Sequence, residues 1–185
     1  TLTASADIAP VDLPVNPLSV VLLHISPLNE TATIANYSEV IGLLSALDNV
    51  TVSFRGGAFI ALSGADLAAL CVMWQRWQLW QSNAVETNND RRSLVLPVPF
   101  GRRAFDVKEC FPATKKGELQ LQLTVDIATT DADGLILQVE TVELLDVTPT
   151  QYLKYTTLSA TPAATGDFDV GLPIGNDVLG LLLFS

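Results

Sequence analysis

Apolar and polar residues alternate along much of this chain with the period of two that is typical of β-strands. The clearest case is Leu119–Ile127, LQLQLTVDI, in which every odd-numbered position is apolar. After a turn, the segment from Leu135 to Leu145 predicts another long strand. Because each segment has one apolar face, the two are predicted to pair as an antiparallel hairpin with that face in the core.

Shorter apolar segments predict further strands. The run from Leu18 to Ile25 is predicted to be a strand that is buried on both faces and ends at Ser26–Pro27. The remaining predicted strands are Val50–Phe54, Ala58–Leu62, Leu94–Phe100, Phe105–Phe111 and, more weakly, Tyr152–Leu158. The sequence Arg55–Gly56–Gly57 predicts a hairpin turn between the first two, and Pro97 and Pro99 predict that Leu94–Phe100 is an edge segment.

Two helices interrupt these strands. Thr33 is a candidate N-cap for a helix that runs to about Leu47, before a turn at Asp48–Asn49. The stronger pattern runs from Ser63 to Ser82, where Ser63 and Asp66 have the spacing of a capping box. Apolar residues at helical spacing then predict one buried stripe, formed by Leu67, Leu70, Cys71, Trp74 and Trp77.

The two ends of the chain carry similar segments. Residues before Pro17 are predicted to form a proline-rich, extended arm. The segment LPVNPLSVVLLH at Leu13–His24, which starts in this arm and continues into the first strand, is similar to LPIGNDVLGLLLF at Leu172–Phe184. A repeat after roughly 160 residues is too distant for a solenoid, whose periods are about 20–50 residues. The spacing favours one β-domain in residues 1–165, with residues 166–185 as a linker and a strand, and leaves open whether that strand begins a second domain.

The composition suits a packed protein that contacts other proteins. Of the 185 residues, 49% are hydrophobic and only 16% are charged, which favours buried strands and surface covered by other subunits. The net charge of −10 argues against a general nucleic-acid-binding surface, which needs a basic face. The basic pairs, such as Arg102–Arg103, are expected in solvated turns or in salt bridges between subunits. The pattern as a whole predicts a mainly β sandwich or barrel with two inserted helices.

Candidate chemistry is sparse. The best metal candidate is the segment from Thr129 to Glu140, in which Asp131, Asp133 and Gly134 match parts of a calcium-binding loop. A turn between two strands explains the same residues, because Asp and Gly tolerate turn geometry. His24, the single histidine, lies in an apolar strand and is expected to be a buried structural residue.

No sequence motif identifies a catalytic centre or a cofactor. The two cysteines are too few for a disulfide framework, and Cys71 is predicted to be a buried free thiol. GxSxG, HExxH and Walker motifs are absent from the sequence. A pair of carboxylates that act as in glycosidases stays open as an alternative, but no feature selects the pair.

Four segments resemble viral coat proteins of the jelly-roll lineage, the major capsid proteins of tailless icosahedral viruses and bacteriophages with an internal membrane. They are SVVLLHI at Ser19–Ile25, SGADLAAL at Ser63–Leu70, LVLPVPFGRRAF at Leu94–Phe105, and LPIGNDVLGLLLF at Leu172–Phe184. The resemblance implies a jelly-roll β-barrel with helices inserted in its loops. It leaves open whether the protein has one barrel or two.

The same resemblance implies a structural protein, and not an enzyme, that self-assembles into an icosahedral virion shell. Its implied partners are copies of itself in trimeric or pseudo-hexameric capsomers, other capsid proteins and a membrane beneath the shell. No specific nucleic acid, small-molecule substrate or cofactor is implied, and assembly is expected in the host cytoplasm. In this hypothesis Ala9–Pro17 and the tryptophan-containing helix are contact surfaces.

A carbohydrate-binding β-sandwich is the main alternative. Trp74, Trp77 or Trp80 would then stack on sugar rings, which requires a tryptophan exposed on a flat face. The capsid hypothesis predicts instead that the tryptophans are mostly covered by their own sheet or by a neighbouring subunit.

Overall fold

A computed structural model describes residues 2–29, 40–82, 91–127, 132–155, 157, 171–172, 175 and 177–181. The elements in chain order are β1 (Ala6–Asp12), β2 (Leu18–Asn29), α1 (Val40–Ser45), β3 (Leu47–Phe54), β4 (Gly57–Leu62), α2 (Gly64–Met73), β5 (Trp80–Gln81), β6 (Leu94–Pro99), β7 (Leu119–Val125) and β8 (Ala132–Glu143). The described residues are therefore mainly β with two helices, in agreement with the predicted fold class.

Within the part of the chain that the structure describes, the strands form two four-stranded antiparallel sheets. Sheet one has the order β1-β7-β3-β4, and sheet two has the order β5-β6-β2-β8. Each sheet buries one face, and the residues of both faces belong to one hydrophobic cluster. Strand β7 shows the alternation most clearly, because Leu119, Leu121, Leu123 and Val125 are buried whereas the residues between them are partly or fully exposed.

The predicted β7–β8 hairpin is wrong. Strand β7 pairs with β1 and β3 in sheet one, whereas β8 pairs with β2 in sheet two. A period of two identifies the face of a strand that is buried, but the two sheets of a sandwich bury their faces in the same core. The pattern therefore could not distinguish a neighbour in the same sheet from a strand across the core.

Strand β2 lies between β6 and β8 and continues past the predicted stop at Ser26–Pro27. Its inward residues Val21, Leu23 and Ile25 are buried. Leu22 and His24 on the other face are only partly buried, so the prediction of a strand buried on both faces is wrong for that face.

Local turn chemistry explains the hairpin between β3 and β4. Arg55 and Gly56 connect the strands with φ angles of 50° and 79°, and two positive φ values are what a two-residue type I′ turn requires. The turn predicted at Asp48–Asn49 is wrong, because β3 already begins at Leu47. The β3–β7 register shifts between Leu47 and Asn49, so these residues occupy an irregularity within the strand.

Strand β6 agrees with its prediction as an edge-like segment. It pairs with β2 along its length, whereas the short β5 covers only the Leu94–Val95 end of its other side. The carbonyl oxygen of Pro97 accepts a hydrogen bond from Cys71 Sγ, and that of Pro99 accepts one from the Tyr155 hydroxyl. A further strand cannot pair regularly on this side, because proline has no N–H to donate. The two proline carbonyl oxygens are satisfied by side chains instead.

The strands predicted at Phe105–Phe111 and Tyr152–Leu158 do not form among the described residues. Phe111 and Tyr152 lie in irregular segments, with their ring centroids 4.7 Å apart, and Phe111 stacks on Phe59 at 4.9 Å. These aromatic side chains close one end of the sandwich. Phe105 is instead 66% exposed, with a φ of 64°.

Helix α2 begins where the capping pattern predicted. The Ser63 hydroxyl oxygen accepts a hydrogen bond from the Asp66 backbone N–H at 3.1 Å, and Leu67, Ala68 and Cys71 are buried. Of the predicted first helix, the structure describes Val40–Ser45, and the candidate cap Thr33 lies outside the described residues. Neither described helix has the length and apolar character needed to cross a bilayer.

The N-terminal segment is extended, as predicted, and is held against the body of the protein as β1. Strand β1 is an edge of sheet one, and its register with β7 shifts between Ile8 and Val11. Residues 177–181 are exposed without strand structure, and 182–184 lie outside the described residues. The boundary at residue 165 also lies outside them, so the division into 1–165 and 166–185 stays a prediction.

We expect the Gly64→Ala substitution to destabilise the fold by about 1–3 kcal/mol, because overpacking a closely fitted site forces neighbouring atoms apart. A Cβ at position 64 would lie 2.4 Å from the Leu44 carbonyl oxygen and 2.8 Å from Leu47 Cβ. Gly57→Ala is the matched control, since its nearest contact would be an ordinary 3.6 Å. Urea denaturation of both variants measures the difference, and equal stabilities would contradict the packing of α2 on β3.

Candidate functional site

His24 does not lie in a catalytic arrangement. Its Nε2 atom is 3.4 Å from Glu140 Oε2 on the neighbouring strand β8, and the two side chains are 34% and 50% exposed. The prediction of a buried structural histidine is therefore wrong, since His24 lies on the outer face of sheet two. This pair resembles a cross-strand contact at a surface, which contributes little to stability.

Burial makes both thiols poor nucleophiles. Cys71 on α2 is buried and donates to the Pro97 carbonyl oxygen at 3.4 Å, and burial raises the pKa of its thiol to about 12. Burial and the charge of Asp106 raise the pKa of the Cys110 thiol above its usual range. Since the thiolate is the reactive form, neither cysteine is activated. Cys71 is the buried free thiol that the sequence predicted.

The calcium-loop candidate is not supported where the structure describes it. Asp131 lies outside the described residues, but Asp133 and Glu140 both belong to strand β8. At about 3.3 Å per residue, seven residues of strand separate them by roughly 20 Å, which is incompatible with ligands for one ion. Gly134 has the positive φ expected of a turn-like position, at 55°. The described residues contain no cluster of three potential metal ligands.

The buried stripe predicted from Leu67 to Trp77 forms only in part: Leu67 and Cys71 are buried, whereas Trp74 is not. Helix α2 ends at Met73, and Arg76, with a φ of 56°, redirects the chain after Trp74. Trp77 packs partly against the core, but Trp74 is 37% exposed and Trp80, in β5, is 57% exposed. The prediction of a helix to Ser82 is therefore wrong. The helical spacing of the tryptophans continues past Met73, and it does not reveal that a residue with a positive φ interrupts the helix there.

A cavity of about 480 Å³ opens between the end of α2 and the loop at residues 101–109. Gln75 joins the two segments, since its Nε2 donates to the Gly101 carbonyl oxygen at 2.9 Å. Seven residues line the cavity: Trp74, Gln75, Arg76, Arg102, Arg103, Asp106 and Glu109. Three of the ten basic residues of an otherwise acidic chain thus surround one space.

An ion pair between Glu109 and Arg102 forms one wall of this cavity. Arg102 Nε donates to both carboxylate oxygens at 2.8 and 2.9 Å, and Nη2 donates to Oε1. Gln151 Nε2 adds a further bond to Oε1 at 2.8 Å. The hydrogen bonds from Arg102, chief among these effects, lower the pKa of Glu109 to about 2 although burial opposes it. Such a carboxylate stays ionised and cannot serve as a general acid near neutral pH.

Gly101 allows this loop to close. A Cβ at position 101 would lie 1.9 Å from the Glu109 carbonyl oxygen, so only glycine fits there. Arg102 and Arg103 are both exposed in a turn segment, which agrees with the expectation of a solvated turn. The ion pair that Arg102 forms with Glu109 lies within this chain. Sequence reasoning missed Glu109, whose one indication was its position beside the apolar Cys110–Phe111.

Arg76 and Arg103 form the exposed rim of the cavity. Both are exposed, and within the described ranges neither guanidinium has an ion pair or a hydrogen bond. The left-handed backbone of Arg76 costs on the order of 1–2 kcal/mol for a non-glycine residue. Backbone strain of this kind clusters at functional positions.

An apolar surface adjoins this cavity. It consists of Val72, Met73 and Trp74 at the end of α2 and the segment 177–181, and we call it the α2 apolar surface. Gly180 packs directly against the benzo edge of the Trp74 indole, where any side chain would collide with the ring. Met73 is 68% exposed, and Leu179 and Leu181 are more than half exposed. Contiguous exposed apolar residues are typical of contact surfaces.

We expect Glu109→Gln to lower the free energy of unfolding by about 1–2 kcal/mol at pH 7, because it removes the charge of a buried carboxylate that accepts hydrogen bonds from the half-exposed Arg102 side chain. The folded-state pKa of about 2 lies below the ordinary value of 4.5. The contribution is therefore complete above pH 4.5 and is lost as the pH falls towards 2, where wild type and variant converge.

Urea denaturation at several pH values measures this convergence. Glu118→Gln is the control, since Glu118 forms an exposed ion pair with Arg55 and should matter less. A difference between wild type and Glu109→Gln that does not change between pH 7 and 2.5 would contradict the assignment.

Comparisons with known proteins support the fold. No protein-family model and no curated protein matches the sequence. Among solved structures, the chain is similar to the STIV MCP, a viral major capsid protein, with a TM-score of 0.51 and 16% sequence identity. The match covers 77% of this chain and 46% of that one, so this chain spans less than half the length of the protein that it matches. The likeness confirms the predicted fold class: this chain has a mainly β, jelly-roll-like fold.

Proposed function

We propose that this chain is part of a viral major capsid protein, a structural coat protein that assembles with copies of itself into the shell of a virion. The observation that carries the proposal is the likeness of its two-sheet fold to that of the STIV MCP. The fold alone does not determine a function, so the surface and the chemistry of the described residues must also suit the role.

The chemistry of the described residues suits a structural role. His24 pairs with a surface carboxylate, both thiols are protonated near neutral pH, and the Glu109 carboxylate is held ionised by Arg102. A glycosidase needs one carboxyl group that keeps its proton near the working pH. Glu109, which Arg102 holds ionised, does not meet this requirement. These features support the proposal that the protein is not an enzyme.

The surface suits repeated contacts between copies. The α2 apolar surface presents Val72 and Met73 at 47% and 68% exposure beside Trp74. Covering such side chains contributes about 25 cal/mol per Å² of apolar area removed from water. In the proposed assembly this surface and the exposed part of Ala9–Pro17 face neighbouring subunits. Leu13 and Pro17 are themselves buried, so they anchor the arm to its own subunit.

The finer proposals follow from the resemblance found in the sequence. We place the protein in the lineage of tailless icosahedral viruses and bacteriophages with an internal membrane. Its partners would be copies of itself in trimeric or pseudo-hexameric capsomers, other capsid proteins and the membrane beneath the shell. The virion would be its location, after assembly in the host cytoplasm.

A carbohydrate-binding module is the second candidate function. The exposure of Trp80, at 57%, and of Trp74, at 37%, is the observation that favours it. In the capsid proposal these rings are covered by neighbouring subunits. Tryptophan fluorescence that is quenched by neutral glycans in the dissociated protein but unchanged by assembly would favour the module.

We expect the purified chain to associate at high concentration, as measured by sedimentation velocity and by electron microscopy of the products. Met73→Asp should weaken association at least about tenfold, because it places a charge on the α2 apolar surface at its most exposed large apolar residue. Leu145→Asp is the matched control: Leu145 is similarly exposed, at 71%, but follows β8 at the opposite edge of sheet two. A wild-type protein that stays monomeric at every concentration would contradict the proposal.

A further inference from the structure

We propose that the cavity between the end of α2 and the 101–109 loop binds a saccharide that carries one carboxylate, such as a uronic acid. This inference goes beyond the coat-protein role, because it assigns a small-molecule site to a surface of the single subunit. It rests on the charge, the shape and the side chains of the cavity lining.

The charges of the lining select one negative group. Arg76, Arg102 and Arg103 contribute three positive charges, and Asp106 and Glu109 contribute two negative ones. The cavity is thus net positive by one charge in a chain whose net charge is −10. A ligand with several phosphate charges would exceed this balance and would meet the two carboxylates.

Two guanidinium groups are available for that single charge. The Arg102 guanidinium already donates hydrogen bonds to the Glu109 carboxylate. The guanidinium groups of Arg76 and Arg103 have no ion pair or hydrogen bond within the part of the chain that the structure describes. Arginine presents a planar fork of donors that matches a carboxylate in a bidentate geometry. The Glu109–Arg102 pair in turn fixes the loop that carries Arg103.

The remaining lining suits a sugar ring. Trp74 offers a flat apolar surface, and Gly180 packs against its benzo edge and limits its movement. Aromatic rings of this kind bury the apolar face of a ligand while leaving its polar edge accessible. The Asp106 carboxylate can accept hydrogen bonds from hydroxyl groups. The volume of about 480 Å³ lies within the range of small-ligand sites, about 300–1,000 Å³.

Titration of the full chain with glucuronate tests this inference, with tryptophan fluorescence and calorimetry as readouts. The protein is kept dilute and dissociated, because association is proposed to cover Trp74. Glucose, the neutral parent, and inorganic phosphate and sulfate are the comparison probes. We expect saturable binding of glucuronate with a change in tryptophan emission, and binding at least about tenfold weaker for glucose. Equal binding of phosphate or sulfate would show a simple anion site and overturn the saccharide assignment, as would the absence of glucuronate binding.

Matched variants locate the site. Arg103→Gln and Trp74→Ala should each weaken glucuronate binding about 10- to 100-fold. Lys116→Gln removes the same charge from a turn before β7, and Trp80→Ala removes another exposed tryptophan, so both should bind like wild type. Circular dichroism confirms that each variant is folded. Equal losses in the control variants would overturn the placement in this cavity.

The outcome is separable from that of the coat-protein proposal, because binding is measured on the dissociated protein and association is measured by sedimentation of the same protein at high concentration without ligand. Glucuronate binding by a protein that never associates would leave the cavity assignment intact and contradict the coat role. Association without glucuronate binding would do the reverse.

Discussion

The burial of one face of each sheet against the other is the constraint on which the rest of this molecule depends. Strand β7 alone contributes four buried side chains to the common core, and a fully buried Leu or Val is worth about 1.5–3 kcal/mol. Because both sheets share this core, the segments between strands must pass around its ends. Phe111 and Tyr152 close one end in this way, although neither belongs to a strand. The loop that carries Glu109 is held in place by the same packing.

Local patterns in the sequence correctly predicted those elements that depend on interactions between residues close together in the chain. Alternation identified β7 and its buried face, and Ser63 with Asp66 located the start of α2 through a hydrogen bond that spans three residues. The partners of strands could not be predicted in this way. Strands β7 and β8 are adjacent in sequence but lie in different sheets, and a period of two is the same in either case. The end of α2 depends on the left-handed conformation of Arg76, which no neighbouring residue indicates.

The candidate cavity was beyond sequence reasoning for a related reason. Its lining comes from two segments that the fold brings together, and the hydrogen bond from Gln75 to Gly101 spans 26 residues. Arg102 appeared in the sequence as half of a basic pair, but its partner Glu109 became evident only from their geometry. The outer surface gives a similar example. The spacing of the tryptophans indicated a helix, but the exposure of Trp74 and Trp80 could not be predicted from it. The likeness to a viral capsid protein therefore accounts for the two-sheet fold of this chain. It does not account for the cavity or for the exposed apolar residues, which only the structure shows.

The edge of sheet one formed by β1 has a consequence for how copies of this molecule meet. Ala9 to Asp12 are exposed there, Pro10 lies within the register irregularity between Ile8 and Val11, and Asp7 and Asp12 add charge. Proline withholds a backbone donor, and an irregular, charged edge is a poor template for a further strand. Fusion of sheets from different molecules into fibrils is thereby disfavoured at this edge, even at high protein concentration.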